Sequence, residues 1–433
     1  MNRIMISNAV INGEKRDIYI SGNKIEKISG CGDPYPANEK KIEGDCHCSH
    51  EPFTVLDAEG MTAIPSFANM HTHAAMTMFR GTCEDMSLND WLNKVWKMES
   101  RLDDDIIYCG VKLACLEMIK SGTLCFKDQY WRLGPTVRAV SEMGLRADLD
   151  YPLLDQNDES KDDGLFSKAC EYYDSSLSWP ETIRFSIGIH SPYSVSLNLM
   201  KKGAAFAREH SLLINIHLAE TRKEIADSIT LHGKTPAAYL SEAGILGPDV
   251  IAAHCLWLND DDISILGKHG VSAVHNINSN MKLGSGYEFR YDEMCDAGIT
   301  VCLGTDGCAS SNNLDMLETM KTSALMQKAW RMDPKALPLG DLFNLATRNG
   351  YKVLGLDGGR IEEGALADIL LINTDGYAFT PHYNFLSNLI YSAHSDCVDT
   401  AICNGRVIMR HRKVEGEKEI LEDAEREYVK LLD

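Results

Sequence analysis

Residues 62–73 read Thr-Ala-Ile-Pro-Ser-Phe-Ala-Asn-Met-His-Thr-His. The run Thr62–Met70 predicts a buried strand, and it leads into two histidines, His71 and His73. Side chains alternate along a strand with period two, so both imidazoles project to one face. Taken alone, such a pair is more often packed or solvated than a set of ligands. Its weight comes from what recurs downstream.

Seven further apolar runs predict strands: Thr123–Lys127, Leu145–Asp150, Ile183–Ile189, Leu212–Ile216, Val250–Ala253, Val271–Val274 and Ile299–Gly304. Between them lie amphipathic stretches with helical periodicity, among them Asp105–Lys120, Leu197–His210, Thr235–Ala243, Asp260–His269 and Asp315–Ala329. Eight β-then-α units in order predict an α/β fold of the (β/α)8 TIM-type barrel, whose parallel strands are covered on both faces and so read as unbroken apolar runs. Polar groups cluster where these strands end. Strand two runs into Asp128, strand four into His190, strand five into His217, strand six into His254, strand seven into His275 and strand eight into Asp306. Such barrels build their active sites at the C-terminal strand ends. Six of the fourteen histidines fall there, a distribution that random placement would not give.

Both ends of the chain have a different texture. Ile4–Ile11, Asp17–Ile20 and Lys24–Ile28 alternate as strands, with Gly22-Asn23 as a hairpin signal, and Ala367–Ile372, Thr400–Cys403 and Val407–Met409 do the same near the other terminus. The expectation is a small discontinuous β-sandwich domain from residues 1–61 and 365–433 around a barrel of residues 62–364. An insert carrying Cys31, Cys46-His47-Cys48 and His50 matches no zinc-module spacing, and Pro34 and Pro36 favour a surface loop.

The chain has 433 residues, and its formal net charge is 43 − 63 = −20. That acidity argues against sequence-independent nucleic-acid binding and against docking on anionic membranes. No apolar run approaches bilayer length, and Met1–Asp17 lacks the layout of a signal peptide. Fourteen scattered cysteines without an export signal predict reduced thiols and a cytoplasmic protein. The expected partner is a small-molecule substrate, with no nucleic acid and no membrane; a homo-oligomer is compatible with the sequence.

Three imidazoles (His71, His73, His217) and one carboxylate (Asp306) suit one divalent metal ion, Zn²⁺ first and Fe²⁺ as the alternative, with a coordination position left for water. A metal there lowers the pKa of its water to about 7 and makes hydroxide available at neutral pH.

The motifs Pro65-Ser66-Phe67-Ala68-Asn69-Met70-His71-Thr72-His73, His190-Ser191-Pro192-Tyr193, His217-Leu218-Ala219-Glu220-Thr221, Ala253-His254-Cys255, Ser279–Gly286 and Leu303-Gly304-Thr305-Asp306-Gly307 resemble the amidohydrolase superfamily, and within it the 5-methylthioadenosine/S-adenosylhomocysteine deaminases. The likeness covers nearly the whole chain. It implies His71, His73, His217 and Asp306 as metal ligands. It implies Glu220 as the acid that protonates a ring nitrogen, His254 as the group that polarises or deprotonates water, and Asp306 also as the proton shuttle to departing ammonia. Glu99 resembles the acid that accepts from ribose hydroxyls, although the stretch Trp91–Glu99 is one residue shorter than the usual form. Arg146 and His190 resemble residues lining the nucleoside pocket. Strand four ends at His190 rather than at a lysine, which favours one metal over a lysine-bridged pair.

The implied activity is hydrolytic deamination of an aminopurine nucleoside, such as 5′-methylthioadenosine, 5′-deoxyadenosine or S-adenosylhomocysteine, to its inosine analogue and ammonia. The loop Asp155–Asp163 is acidic and has no arginine to hold a carboxylate, which tilts the expectation toward small 5′-substituents. Alternatives are a deaminase of a free base or pterin of the guanine or cytosine type, and a triazine-type chlorohydrolase. Having both Glu220 and Asp306 favours ammonia loss, because nitrogen must be protonated to leave and chloride need not. A non-catalytic scaffold would have lost metal ligands that this chain retains. The other zinc-deaminase architecture requires Pro-Cys-x-x-Cys, which is absent.

Overall fold

The computed structural model describes residues 3–33, 53–86 and 88–432. Of the Cys/His insert, Cys31 is an exposed free thiol; Cys46, His47, Cys48 and His50 lie outside the described residues. Every described cysteine is unbridged.

The strands are β1 (Arg3–Ile11), β2 (Glu14–Ser21), β3 (Lys24–Gly30), β4 (Thr54–Asp57), β5 (Met61–Pro65), β6 (Phe67–Thr72), β7 (Thr123–Gln129) and β8 (Arg146–Leu153). They continue as β9 (Ile183–Ile189), β10 (Ile214–Leu218), β11 (Val250–His254), β12 (Ser272–His275), β13 (Val301–Leu303), β14 (Ile369–Asn373), β15 (Val398–Cys403) and β16 (Arg406–Met409).

Strands β6 to β13 form one parallel sheet in sequential order, curled into a nearly closed barrel. Near the seam, the Asp306 amide donates to the His71 carbonyl at 2.9 Å, and the Asn69 side chain exchanges bonds with the Thr305 amide (3.0 Å) and hydroxyl (2.7 Å). Every residue of β6, β7 and β8 is buried, which explains why these strands show no alternation in sequence. Polar side chains also pair inside the barrel: the Lys127 ammonium, fully buried, is bonded to Asp148, Asp150 and Ser186.

A second, mixed sheet is built from both termini in the order β16-β15-β14-β5-β1-β2-β3, with β4 paired to β1. The stretch expected as a single strand, Thr62–Met70, is two. Met61–Pro65 pairs with β14 in the terminal sheet, the chain changes partners at Ser66, and Phe67 begins the barrel.

The helices begin and end on local signals. Those at Leu197–Glu209, Pro236–Glu242, Asp260–His269 and Met316–Arg331 are capped at their N-termini by the side chains of Ser196, Thr235, Asn259 and Asp315. Helix α1 covers Leu88–Glu99 and α2 Asp104–Ser121. Gly122 ends α2 at φ +92 and leads directly into β7; a Cβ there would meet Leu370 at 2.7 Å, so both the turn and the contact between the two sheets require glycine. The last helix, Glu417–Leu432, lies against α2. Among the described residues no helix is long and apolar enough to cross a membrane.

Candidate active site

The register of the parallel strands brings their C-terminal ends level. Thr72 stands opposite Asp128, His217 opposite Ala253, and Leu218 opposite His254. Three imidazoles from two strand ends, those of β6 and β10, thereby meet: donor atoms of His71, His73 and His217 lie within 4.8 Å of one another. Asp306 joins them, its Oδ1 3.3 Å from His73 Nε2 and 3.6 Å from His71 Nε2.

Hydrogen bonds around these groups aim their free atoms at a common point. His73 Nδ1 lies 2.7 Å from the Gln129 carbonyl and His217 Nδ1 2.6 Å from the His190 carbonyl. A carbonyl only accepts, so each Nδ1 carries the proton and each Nε2 keeps its lone pair for another partner. His71 is fully buried, and neither of its ring nitrogens has a hydrogen-bond partner. Buried polar atoms are normally satisfied, and an orphaned imidazole beside two more and a carboxylate fits a divalent cation. Burial and the neighbouring imidazoles hold His71 and His217 well below the usual histidine range, in the neutral form that ligates. Burial alone would raise the Asp306 carboxyl, but His73, His71, His254 and the Ser279 hydroxyl keep it well below its ordinary value. Its Oδ2 accepts from Ser279 at 2.6 Å and from Ser310 at 3.2 Å; its Oδ1 accepts from the Gly307 amide at 2.9 Å.

Glu220 and His254 stand together beside this centre, Glu220 Oε2 3.9 Å from His254 Nε2. Ser285 donates to Glu220 Oε1 at 3.5 Å, and the far nitrogen of His254 lies 3.3 Å from the Asn280 side-chain amide. Burial lowers the His254 imidazole, yet the nearby Glu220 and Asp306 carboxylates raise it overall.

The pocket above is lined by His73, His217, Glu220, His254 and Asp306 together with Glu99, His190, Gln129, Tyr130, Trp91, Trp96, Trp131 and Tyr193. Burial pushes the Glu99 carboxyl up to about 7, against a hydrogen bond from the Tyr130 hydroxyl at 3.0 Å. His190 Nδ1 lies 2.8 Å from Ser194 Oγ, and burial pulls this imidazole down to about 4. Trp91 is buried with its indole N–H on the Ala309 carbonyl, whereas Trp96 stays 41% exposed at the mouth.

Arg146 is not brought to this pocket. It opens β8, at the opposite end of the barrel from the strand ends, and its guanidinium is engaged by Asp368 Oδ2 (2.6 Å) and Asn404 Oδ1 (2.6 Å). The sequence places it beside an apolar run but conceals a carboxylate partner 222 residues away. His275 takes no part either: its ring stacks on Phe289 with centroids 4.1 Å apart. Asp128 Oδ1 accepts from Thr72 Oγ1 (2.8 Å) and the Ala74 amide (2.6 Å), fixing the turn that carries His73. Sequence reasoning missed Tyr130, Gln129, Ser310 and Glu224, and left Ser279 without a role inside a motif that it had singled out. The Thr221-x-x-Glu224 spacing was the one available signal for Glu224, since it is the pattern of a capping box.

The sequence model of the amidohydrolase family matches residues 62–408. The chain belongs to the amidohydrolase family. It is 43% identical over 427 residues to a 5′-deoxyadenosine deaminase of Methanoregula boonei, covering 97% of this chain and 93% of that one. A 5-methylthioadenosine/S-adenosylhomocysteine deaminase of Archaeoglobus fulgidus is 39% identical over 434 residues, covering 98% and 96%. Among solved structures, an adenosine deaminase from Xanthomonas campestris with bound zinc superposes with a TM-score of 0.89 at 26% identity, covering 99% of this amidohydrolase and 98% of that chain.

Proposed function

We propose that this amidohydrolase is a metal-dependent deaminase of 5′-substituted adenosines, releasing ammonia and the corresponding inosine analogue. The observation that carries the reading is the pairing of Glu220 with His254, 3.9 Å apart, beside a cradle of three imidazoles and one carboxylate. The relatives at 39–43% identity are named for nucleoside deamination, and that supports the same class here. His71, His73, His217 and Asp306 are assigned as the ligands, and Zn²⁺ as the ion, in keeping with the N/O donor set and the zinc in the Xanthomonas structure.

When bound, a divalent cation polarises water and makes hydroxide accessible near neutral pH. The chain supplies the proton traffic. Glu220 hands a proton to the purine ring nitrogen, so that the adjacent carbon accepts the attacking oxygen without building charge on the ring. His254, beside Glu220, receives the proton released as water attacks. That proton passes on through Asp306 to the departing amino group, so His254 and Asp306 both end as they began; the two oxygens of Asp306 allow one to ligate while the other exchanges. The hydroxyl proton of the tetrahedral centre returns to Glu220 as the carbonyl forms and ammonia leaves, so the acid is restored. Glu99 accepts from the ribose hydroxyls, and His190 packs beside the nucleoside.

Among the described lining residues the pocket has no lysine and no arginine. The carboxylate of an amino-acid 5′-tail would give up its hydration without a cationic partner, so we assign 5′-deoxyadenosine and 5′-methylthioadenosine ahead of S-adenosylhomocysteine. The test is ammonia release from adenosine, 5′-deoxyadenosine, methylthioadenosine, S-adenosylhomocysteine, guanine, cytosine and pterins. Fastest turnover is expected for the two uncharged 5′-derivatives. Turnover of the free bases alone would overturn the nucleoside reading, and strong preference for S-adenosylhomocysteine would overturn the assignment of the tail.

A further inference from the structure

Glu220 sits on a loop whose backbone is unusually constrained. Ala219, between the strand end and Glu220, has φ +53, and the neighbouring end of β11 holds His254 at φ +73 and, just past it, Cys255 at φ +49. Left-handed backbone at residues with a Cβ is strained and persists only where neighbouring bonds enforce it. On the carbonyl side the enforcement is visible: Ala219 O accepts from the Leu256 amide (3.0 Å) and the Trp257 amide (2.9 Å), which ties this loop to the one carrying His254.

On the amide side the partner is Glu224. Thr221 caps the helix Arg222–His232 by accepting from the Glu224 amide at 3.1 Å. In a capping box the glutamate at this position would turn back to the amide of Thr221. Here it reaches further. Oε1 accepts from the Ala219 amide at 2.7 Å, and Oε2 accepts from the Glu220 amide at 2.8 Å. The side chain is 5% exposed, away from the pocket lining, and its two oxygens take the amides of the two successive peptides that flank left-handed Ala219. A carboxylate is the side chain that can do this, because it offers acceptors on both arms and no donor.

We infer that Glu224 is a positioning residue that clamps the backbone amides of Ala219 and Glu220 and so fixes the Glu220 carboxyl against His254 during proton transfer. The inference rests on the role given to Glu220 above. In Glu224→Gln the shape is kept, but the amide arm confronts a backbone N–H with a second donor, so one of the two bonds is lost and the peptide is released. The expected result is a fall in kcat of about 10- to 100-fold, the usual cost of a misplaced reacting group, with KM and metal content near those of the parent. The distinguishing measurement is a double-mutant cycle: in a Glu220→Gln background, Glu224→Gln should cost less than about twofold more, since the group it positions is already gone. Thr221→Ala is the control, removing the cap on the Glu224 amide and weakening the same helix while keeping the Glu224 carboxylate and the two amides it accepts from; it should lower the melting temperature and leave kcat in place.

Additive losses in the cycle, or unchanged kcat in Glu224→Gln, would overturn the inference. If the parent protein deaminates no nucleoside, the functional reading fails instead, and the two failures are separate. Deuterium exchange in the parent tests the clamp without any variant. Peptides spanning residues 217–221 should retain protection at Ala219 and Glu220 comparable to that of β10, and exchange as fast as in exposed loops would refute it.

Discussion

The two ends of the barrel both bury charge, and they do so in opposite ways. At the N-terminal end Arg146 bonds Asp368 and Asn404, the Tyr351 hydroxyl lies 2.9 Å from the same Asp368 carboxylate, Ser66 lies 2.8 Å from Tyr351, and the Asn404 amide donates to Asp368 Oδ1 at 2.7 Å. The Arg146 and Asp368 charges are paired, and the group joins the barrel to the terminal sheet. At the C-terminal end three imidazoles converge with their Nε2 atoms uncommitted, and His71 has no partner at either nitrogen. A satisfied buried network holds a fold together; an unsatisfied one, costly to maintain, marks the place where a ligand completes it. Counting charged residues would not separate these two ends, whereas accounting for their hydrogen bonds does.

Substitutions at each end should therefore move different observables. The largest effect is expected at Glu220. Glu220→Gln should leave metal content at the parent level and reduce turnover by about 10²–10⁴-fold, measured as ammonia release, because only the proton donor is lost. Near-normal turnover would remove Glu220 from the chemistry and blur the contrast between the ends.

At the other end, Arg146→Met leaves the Asp368 carboxylate buried without its charge partner. A loss of about 3–5 kcal/mol is expected, read as a lower unfolding midpoint in urea, with kcat of the folded enzyme unchanged. A fall in kcat at unchanged stability would return Arg146 to the active site and break the comparison.

A smaller effect, and one that sharpens it, is expected at Glu99. Burial raises its carboxyl from 4.5 to about 7, so the folded state holds a proton that the unfolded chain releases. Its contribution to stability is complete below about pH 4.5 and is lost as pH rises through 7. Glu99→Gln, neutral throughout, should gain in unfolding midpoint relative to the parent between pH 5 and pH 8, while kcat/KM for nucleosides falls about 10- to 100-fold through loss of an acceptor oxygen for the ribose hydroxyls. A stability difference that does not change with pH would contradict the buried-carboxyl account.

Much of this was legible from the chain. The period-two spacing of His71 and His73, and the recurrence of His217, His254 and Asp306 after apolar runs, identified the strand ends that meet, because parallel strands order their ends by topology alone. What escaped detection depended on pairing across distance or on local backbone geometry. Thr62–Met70 reads as one strand because apolar character continues across Ser66, although the hydrogen-bonding partners change there from the terminal sheet to the barrel. Arg146 reads as a free cation because Asp368 is remote in sequence. Glu224 reads as an ordinary capping-box acid, and only the left-handed peptide at Ala219 shows where its carboxylate goes.

Elemental analysis of the purified, active enzyme bears most directly on the convergence of His71, His73, His217 and Asp306. We predict one divalent cation per chain, removed together with activity by His217→Ala and, reversibly, by chelation. Two cations per chain, or full activity in metal-free protein, would contradict that arrangement.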